Sequence, residues 1–285
     1  MARWLVVGAA GMLGTDLCDL LERSGEEVTR GDLPDLDILD LDGCVDAARG
    51  QDVVVNCAAY TAVDAAESDE GRAFSVNATG AAHLARAATL TGAALVHVST
   101  DYVFDGTSRT PYPADAPLSP TSAYGRTKAA GEWAVRTECS RSWVMRTAWL
   151  YGAHGPSFPA TMARLAGEHE FLDVVTDQVG QPTWTVDLAE GILRVVRAGA
   201  PFGTWHATNA GECSKRGLAQ AVLEELGLDP ERVRPTTSEA FPTPAPRPAY
   251  SVLAHDMWAE HDLEPLPDWR DALHRAAPVL FPTSG

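Results

Sequence analysis

The sequence predicts an α/β fold built on a doubly wound parallel sheet. At the start of the chain, a short apolar segment leads through a glycine-rich turn into an amphipathic helix. Further on, short apolar segments alternate with segments of helical periodicity, and such alternation is typical of parallel strands joined by right-handed crossovers. The 285 residues, 45% of them apolar, suffice to bury a large core.

The first unit is a strand at residues 4–7, a glycine turn, and a helix at Met12–Arg23. Gly8 allows a tight turn, Gly11 allows the backbone to approach a pyrophosphate, and Gly14 brings the helix close to its strand. The N–H groups that begin the helix then face the phosphates. Because the spacing is G-x-x-G-x-x-G, an ordinary glycine turn is the alternative, but its position after the first strand favours a dinucleotide site.

The charge of the chain limits its partners. The formal net charge is −17 and the pI is about 4.7. This charge argues against nucleic acid and anionic membranes, since both are bound through Lys and Arg. An anionic small substrate would have to meet locally placed arginines.

Cysteine and histidine usage indicates a reduced cytoplasmic protein without a metal. The five cysteines are odd in number and contain no C-x-x-C, and the eight histidines show no metal-binding spacing. The first apolar run is only four residues long, and no run of eighteen apolar residues occurs. We therefore expect no signal peptide and no membrane span.

The second predicted strand, residues 27–30, bears on the choice of nicotinamide. Asp32 follows Gly14 by 18 residues, where a carboxylate accepts hydrogen bonds from the adenosine ribose and repels a 2′-phosphate. Arg30 argues the other way if it lies on the same side of the strand. The residues therefore leave NADH and NADPH both open.

The next strands end in small or polar residues. A third strand at 52–56 is followed by Cys57–Thr61, where small side chains either leave room for a flat ligand or simply pack closely. One long helix is expected from about Glu67 to Thr91, and a fourth strand at 94–98. Ser99–Phe104 then lies at the ligand-binding edge of the sheet, and the long loop 105–121 is of a kind that is usually functional.

A tyrosine and a lysine share one face of the following helix. Tyr124 and Lys128 are four residues apart on a helix that runs to about Glu138, with Thr121 or Ser122 as its cap. Such pairs are common and normally solvated. However, only two of the 22 basic residues are lysines, and a compact ammonium suits the tuning of a phenol better than a guanidinium does.

The energy needed for that tuning is available. Lowering the pKa of a tyrosine from about 10 to about 7 requires roughly 4 kcal/mol. One positive charge about 4 Å away supplies about that much at an effective dielectric constant of about 20. We therefore expect Tyr124 to exchange protons near neutral pH.

The rest of the chain is predicted to mix short strands, helices and loops. Arg247 lies on a proline-rich stretch, and this pattern alone predicts a solvated arginine at the surface. The expected elements are a fifth strand at 143–149, a helix at 158–168, a loop at 177–183, a helix at 186–197, a strand at 204–207 and a helix at 215–226 capped by Ser214.

Together, these motifs resemble the dTDP-4-dehydrorhamnose reductase family, within the extended short-chain dehydrogenases/reductases, over nearly the full length. The glycine turn and Y-x-x-x-K identify only the superfamily, whereas T-x-V-D-x-A-E, S-T-D-Y-V-F and D-Q-x-G-x-P-T are far more specific. The residues that carry the resemblance are Gly8–Gly14, Asp37–Ile38, Val55–Glu67, Ser99–Phe104, Tyr124–Lys128, Arg146–Trp149, the loop 177–183 and Thr243–Pro248.

The resemblance implies reduction of the 4-keto group of a dTDP-4-keto-6-deoxyhexose by NADPH or NADH. Tyr124 would protonate the carbonyl oxygen, Thr100 would bond the same oxygen, and Lys128 would hold the nicotinamide ribose and lower the pKa of Tyr124. The dinucleotide would be lined by Gly8, Gly11, Met12, Leu13, Gly14, Asp32, Asp37, Ile38, Ala58, Ala59, Thr61, Tyr124 and Lys128. The substrate would be bound by Thr100, Asp101, Tyr102, Trp149 and Arg247, the last at the diphosphate.

The resemblance also sets the expected domains and shows two departures. Residues 1–150 would form a Rossmann-type dinucleotide-binding domain, and residues 151–285 mainly a smaller, interleaved substrate-binding domain whose segments at about 175–200 return to the first. Leu33 stands where many relatives have an arginine for the 2′-phosphate. Asp16 is a possible ligand of the magnesium through which some relatives dimerise, but Val186 stands where another acidic ligand is expected, so we predict no metal.

Two other functions remain open at this point. A nucleotide-sugar epimerase or dehydratase of the same superfamily would keep its nicotinamide bound through each turnover. A regulatory subunit without catalysis would have lost its acid/base groups, yet Thr100, Tyr124 and Lys128 are present. A monomer or a homodimer is compatible with the sequence.

Overall fold

A computed structural model describes residues 1–282. The last three residues of the expected second domain, 283–285, lie outside the described part. The strands are β1 Arg3–Val7, β2 Glu27–Gly31, β3 Val53–Asn56, β4 Ala94–Thr100, β5 Ser142–Thr147, β6 Leu150–Tyr151, β7 Leu172–Val175, β8 Val179–Gly180, β9 Thr183–Trp184, β10 Gly203–His206, β11 Asn209–Ala210, β12 Cys213–Ser214, β13 Val233–Thr236 and β14 Leu266–Asp268.

Helices lie between most of these strands. They are α1 Met12–Arg23, α2 Leu41–Ala48, α3 Val63–Ala66, α4 Glu70–Phe74, α5 Ala81–Thr91, α6 Ala123–Glu138, α7 Phe158–Glu168, α8 Thr185–Arg197, α9 Lys215–Glu225, α10 Asp256–Glu260 and α11 Trp269–Leu280. A π-helix spans Ser75–Gly80, and short 3₁₀ helices span Asp101–Val103, Pro230–Arg232 and Ser238–Ala240. Over residues 1–282, the helices are all too short or too polar to cross a bilayer.

Six parallel strands form the central sheet, in the order β10-β5-β4-β3-β1-β2. The chain runs outward from β1 to β2 and then returns to β3 on the other side of β1. The order of the strands therefore reverses between β1 and β3, and ligands of such sheets bind beyond the carboxyl ends of the strands at that point. The predicted α/β fold with a doubly wound parallel sheet is confirmed.

Alternate residues of the first strand pack on opposite faces of the sheet. Trp4 and Val6 pack with α1 and α8, whereas Leu5 and Val7 pack with α2, α5 and α6. This alternation is the pleat of a strand that is buried on both sides. Since α8 comes from the second half of the sequence, the two halves of the chain interleave.

A smaller core lies in the second half of the chain. It is built around α7, α9 and α11 and the parallel pair of β7 and β13. Its buried members include Tyr151, Met162, Leu172, Leu218 and Leu273. This core supports the residues that follow β5 and those that begin α9.

The prediction of one helix from Glu67 to Thr91 is wrong. The chain forms α3, breaks, and then passes through α4, a π-helix and α5. The wider π turn contains Asn77, whose side chain bonds to the backbone of Tyr60 and to Thr127 instead of facing solvent. The loop predicted at 177–183 also contains the short strand β8 and the start of β9.

Candidate active site

The glycine turn after β1 leaves an open face for an anionic ligand. Gly8 has a φ of +79°, and a Cβ there would lie 2.6 Å from the backbone nitrogen of Ala58. A Cβ on Gly14 would lie 2.1 Å from the carbonyl oxygen of Gly8, so the close packing of α1 on the turn requires glycine. The N-cap residue, Gly11, offers no side chain to the first turn. The N–H groups that begin at Met12 and Leu13 therefore fit a pyrophosphate.

The carboxylate of Asp32 lies beside this turn. Its Oδ2 accepts a hydrogen bond from the amide of Ala10 at 2.8 Å, and its Oδ1 accepts one from Leu33 at 2.9 Å. Arg30, in contrast, is bonded to Asp19 at 2.8 Å and to Glu22 at 3.0 Å on α1. The guanidinium of Arg30 is thus directed to α1, which leaves Asp32 as the charged group beside the turn.

The other residues expected near the adenosine differ in exposure. Asp37 is exposed and accepts a hydrogen bond from the amide of Leu39 at 2.9 Å. Ile38 is buried, and its side chain occupies the space that a Cβ on Gly80 would need. Ile38 therefore shapes the wall of this region through packing.

The segment after β3 runs directly over Gly8. The amide of Ala58 donates to Asn56 Oδ1 at 3.1 Å, and Asn56 Nδ2 lies 3.1 Å from Nδ1 of the buried His97. Ala58 and Ala59 are partly exposed and Thr61 is exposed. Small side chains thus follow β3 where the chain passes over the glycine turn, and both a flat ligand and close packing remain compatible with them.

The end of β4 and the beginning of α6 bring together Thr100, Tyr124 and Lys128. Ser122 caps α6 by accepting a hydrogen bond from Gly125 at 3.1 Å, and this cap fixes where the helix begins. Lys128 is buried, and its Nζ donates to the carbonyl oxygen of Val98 at 2.7 Å. The Thr100 hydroxyl bonds to Tyr124 closely enough to affect the pKa of the phenol.

The pKa of Tyr124 differs from the prediction. Burial raises it to about 12, the hydrogen bond from Thr100 opposes this rise, and the charge of Asp101 adds to it. Burial also lowers the pKa of Lys128 to about 8. The expected fall in the pKa of Tyr124 is therefore wrong for the protein without a ligand, because desolvation of the phenolate outweighs the hydrogen bond from Thr100.

Asp101 and Tyr102 border the same three residues. Asp101 is buried, and its Oδ1 accepts a hydrogen bond from the Thr100 hydroxyl at 2.9 Å. Burial raises the pKa of Asp101, while the nearby hydroxyl of Ser251 opposes the rise. The ring of Tyr102 meets the ring of Tyr124 edge to face, with 5.6 Å between centroids.

Trp149 and Arg247 approach from the second half of the chain. Trp149 has a φ of +45°, a left-handed conformation that is strained for a tryptophan. Arg247 Nη2 lies 2.7 Å from Asp64 Oδ2, and the charge of Arg247 lowers the pKa of Tyr102 against the larger effect of burial. Arg247 therefore lies near Tyr102 and is paired to a carboxylate of the T-x-V-D-x-A-E motif. Trp149 is linked to Asp101 through Lys215, whose Nζ lies over its ring and whose charge acts on Asp101.

Sequence reasoning missed a buried ionic network behind this site. Arg146 binds Glu132 through two hydrogen bonds of 2.9 and 2.8 Å, and the Ser99 hydroxyl donates to Glu132 at 2.6 Å. Glu132 lies one turn after Lys128 on α6, and Ser99 precedes Thr100. The only available signal was Arg146 within an otherwise apolar strand, because an arginine buried there requires an anionic partner.

Asp16, the acidic residue considered for a metal, makes contacts with Thr185 and His154. Its Oδ2 accepts a hydrogen bond from the Thr185 hydroxyl at 2.5 Å, and its Oδ1 lies 3.5 Å from His154. Val186 follows Thr185 in the first turn of α8. Asp16 thus links α1 to the start of α8.

Comparison with known proteins identifies the family. Residues 2–280 match the sequence model of the RmlD substrate-binding domain. The chain belongs to the RmlD family. The resemblance to dTDP-4-dehydrorhamnose reductases is thereby confirmed.

Relatives in the RmlD family carry names of sugar reductases. The chain is 51% identical to a probable dTDP-4,6-dihydroxy-2-methyloxan-3-one 4-ketoreductase of Streptomyces antibioticus, over 98% of this chain and 96% of the relative. It is 48% identical to a dTDP-4-dehydrorhamnose reductase of Streptomyces griseus, over 99% and 95%. These full-length matches cover every motif in the site described above.

Solved structures agree with the family. A dTDP-4-dehydrorhamnose reductase of Bacillus anthracis, solved in complex with NADP, superposes with a TM-score of 0.93 at 35% identity, covering 96% of this chain and 98% of that one. A dTDP-glucose 4,6-dehydratase of Streptomyces venezuelae, with 22% identity and a TM-score of 0.81 over 97% and 96% of the chains, shares the fold.

Proposed function

We propose that this protein is an NAD(P)H-dependent oxidoreductase that reduces the 4-keto group of a dTDP-4-keto-6-deoxyhexose. The observation that carries the proposal is the meeting of Thr100, Tyr124 and Lys128 at the sheet edge that also bears the glycine turn. The glycine turn and Lys128 lie close together, since Gly8 contacts Ala58 and the charge of Lys128 acts on the neighbouring Cys57. The names of the relatives support the same reaction.

Each residue of the proposed site has a separate role in the reduction. The bound nicotinamide supplies the hydride to the carbonyl carbon. Tyr124 is a neutral phenol at physiological pH, so it holds a proton for the carbonyl oxygen. The hydroxyl of Thr100 donates to Asp101 in the protein without a ligand and would turn to donate to that oxygen when the substrate binds. The phenolate that remains after proton transfer is stabilised by the ammonium of Lys128 on the same face of α6. The turn formed by Gly8, Gly11 and Gly14 holds the pyrophosphate in place.

The substrate is bound by groups from both halves of the chain. Asp101, Tyr102 and Trp149 line the sugar, and Arg247, positioned by Asp64, binds the diphosphate. In this proposal, residues 1–150 bind the dinucleotide and residues 151–285 mainly bind the substrate, apart from α8. Asp32, with Arg30 held on α1, favours NADH, although a relative is solved with NADP. We further propose that the protein works in the cytoplasm as a monomer or homodimer.

Turnover tests the proposal directly. Purified protein is mixed with dTDP-4-keto-6-deoxyglucose, with and without an active 3,5-epimerase, and with NADH or NADPH in separate reactions. We expect the absorbance of the reduced nicotinamide to fall and one 4-hydroxy sugar to form per nicotinamide oxidised. The absence of oxidation with both cofactors contradicts the proposal. Stoichiometric nicotinamide in the purified protein, regenerated at each turnover, instead supports an epimerase or dehydratase.

A further inference from the structure

Lys215, the second of the two lysines, lies in the substrate region without an ionic partner. It begins α9, and its Nζ is 3.4 Å from the centroid of the Trp149 ring and 4.8 Å from that of Phe158. Within residues 1–282, Nζ makes neither a salt bridge nor a hydrogen bond, so two aromatic faces are its only close partners. The side chain is half-buried, and the three donors of its ammonium are free for a ligand.

A complementary acceptor lies nearby. Oδ2 of the buried Asp101 has no hydrogen-bond partner in the described part of the chain, although Oδ1 is bonded to Thr100. Lys215 lies close enough to lower the pKa of Asp101. The site therefore presents a carboxylate oxygen without a hydrogen bond, near the hydroxyl of Ser251, and an ammonium without one, whose charge acts on that carboxylate.

The tryptophan beneath Lys215 is held in a strained position. Trp149 has a left-handed backbone, and its ring fills the space beside Gly180, where a Cβ would lie 2.6 Å from the ring. Strain of this kind persists where the surrounding structure enforces it, and it concentrates at ligand sites. An aromatic face in this position suits the C–H face of a sugar ring.

The chemistry of the pair selects a hydroxyl group. A hydroxyl donates one hydrogen bond and accepts others, so it satisfies Asp101 and Lys215 together. A diphosphate has no proton to donate, and Asp101 would repel it. In a 4-keto-6-deoxyhexose, the carbon atoms beside the carbonyl are C3, which carries a hydroxyl, and C5, which carries the methyl group and the ring oxygen. Because Thr100 lies against Asp101 and would also face the carbonyl oxygen, the substrate hydroxyl nearest to Asp101 is that on C3.

We propose that Lys215 is a specificity-determining residue that, together with Asp101, binds the C3 hydroxyl of the substrate. This inference rests on the proposed reductase function. It predicts that the protein distinguishes sugars by the presence of that hydroxyl. A site built to bond a hydroxyl discriminates strongly against an analogue that lacks it, because its own polar groups are then left unpaired.

The test compares two substrates, dTDP-4-keto-6-deoxyglucose and its 3-deoxy analogue, in the wild-type protein and in Lys215→Met. We expect the wild type to prefer the hydroxylated sugar in kcat/KM by about 100-fold or more. Lys215→Met keeps the length and apolar stem but removes the donors. Its kcat/KM should fall by about 10-fold or more for the hydroxylated sugar, mainly through KM, and change little for the analogue.

The matched control is Arg234→Met. Arg234 is exposed and stacks on the ring of Phe171 at 3.5 Å, outside the site, so this change also removes a cation from an aromatic face. We expect its preference between the two sugars to equal that of the wild type.

Each outcome separates the two proposals. A wild-type protein that reduces neither sugar contradicts the reductase function itself. A wild-type protein that reduces both sugars with equal kcat/KM overturns the role of Lys215, and this result does not depend on the folding of any variant. An unchanged ratio of the two kcat/KM values in Lys215→Met overturns it as well, even if both rates fall.

Discussion

Tyr124 can donate a hydrogen bond to a carbonyl oxygen only as a neutral phenol, because a phenolate has no proton to donate. Its surroundings keep it neutral, since burial raises its pKa to about 12. The proton is therefore in place before the substrate binds. In the proposed reaction, the energetic cost falls on the phenolate that follows proton transfer, and Thr100 and the ammonium of Lys128 would have to stabilise this anion.

Replacing Tyr124 by Phe removes the proton and leaves the fold and the glycine turn intact. We expect kcat to fall by about 10²–10⁴-fold, the usual contribution of a positioned acid, with little change in nicotinamide affinity. Steady-state kinetics and a nicotinamide binding titration measure the two effects separately. Tyr250→Phe is the matched control, because that hydroxyl bonds to Glu212 at the surface. Full activity of Tyr124→Phe would show that another group protonates the carbonyl.

At the scale of single residues, the sequence predicted the chemical groups better than their charges. The spacing of Tyr124 and Lys128 was sufficient to place both on one face of a helix. The pKa of Tyr124 was predicted in the wrong direction, because desolvation depends on neighbours that spacing does not reveal. Lys215 and Ser251 were missed for the same reason, since each reaches Asp101 from more than a hundred residues away.

Among the secondary-structure elements, the π-helix at Ser75–Gly80 links the segment after β3 to α6. Asn77 within it accepts a hydrogen bond from the amide of Tyr60 at 2.8 Å and donates to the carbonyl oxygen of Tyr60 at 3.2 Å. It also donates to the Thr127 hydroxyl on α6 at 3.0 Å. One buried side chain thus connects the segment after β3 to the helix that carries Tyr124 and Lys128.

Asn77→Ala should loosen this connection. The change leaves the backbone groups of Tyr60 without partners, so we expect a loss of about 1–3 kcal/mol in the free energy of unfolding and a higher KM for the nicotinamide. Urea unfolding and cofactor titration provide the two measurements. Ser75→Ala, in the same turn but with an exposed hydroxyl bonded to Gly71, should stay within about 0.5 kcal/mol of the wild type. Equal stability of the two variants contradicts the role of Asn77.

Elements with clear boundaries were predicted well, and those defined by distant contacts were not. Both ends of α1 and of α7 match the structure, because glycine, serine and proline mark them. The π turn was missed since its sequence is compatible with an ordinary helix, and only the contacts of Asn77 show why it widens. The short strands β8 and β9 were missed because two-residue pairings leave no periodicity to read.

For the molecule as a whole, buried basic groups determine how stability depends on pH. Burial lowers the pKa of Lys128 to about 8 and that of Lys215 to about 7, from 10.5. Burial also lowers the pKa of His206 to about 3 and that of His255 to about 4. In contrast, burial raises the pKa of several thiols, for example that of Cys18 to about 11.

These shifts predict a maximum of stability near pH 9. Between pH 7 and 9 the unfolded chain keeps protons on both lysines that the folded protein releases, so the free energy of unfolding rises with pH, by up to about 1.4 kcal/mol per pH unit for each lysine. Below about pH 6.5, His206 and His255 bind protons in the unfolded chain but stay neutral in the folded protein, so the free energy of unfolding falls as the pH falls. Above about pH 9 the unfolded thiols ionise while the buried ones do not, and stability falls again.

Urea unfolding between pH 5 and 10 measures this profile. Lys215→Met should remove most of the rise between pH 7 and 8 and about half of the rise between pH 8 and 9, because both lysines contribute to the second interval, and it should leave the part that Lys128 causes. Arg234→Met removes an exposed charge that does not titrate in this range, so its profile should run parallel to that of the wild type. A wild-type profile that is flat from pH 7 to 9 would show that both lysines keep their ordinary pKa in the folded protein, and the unpaired ammonium of Lys215 would then have to be solvated.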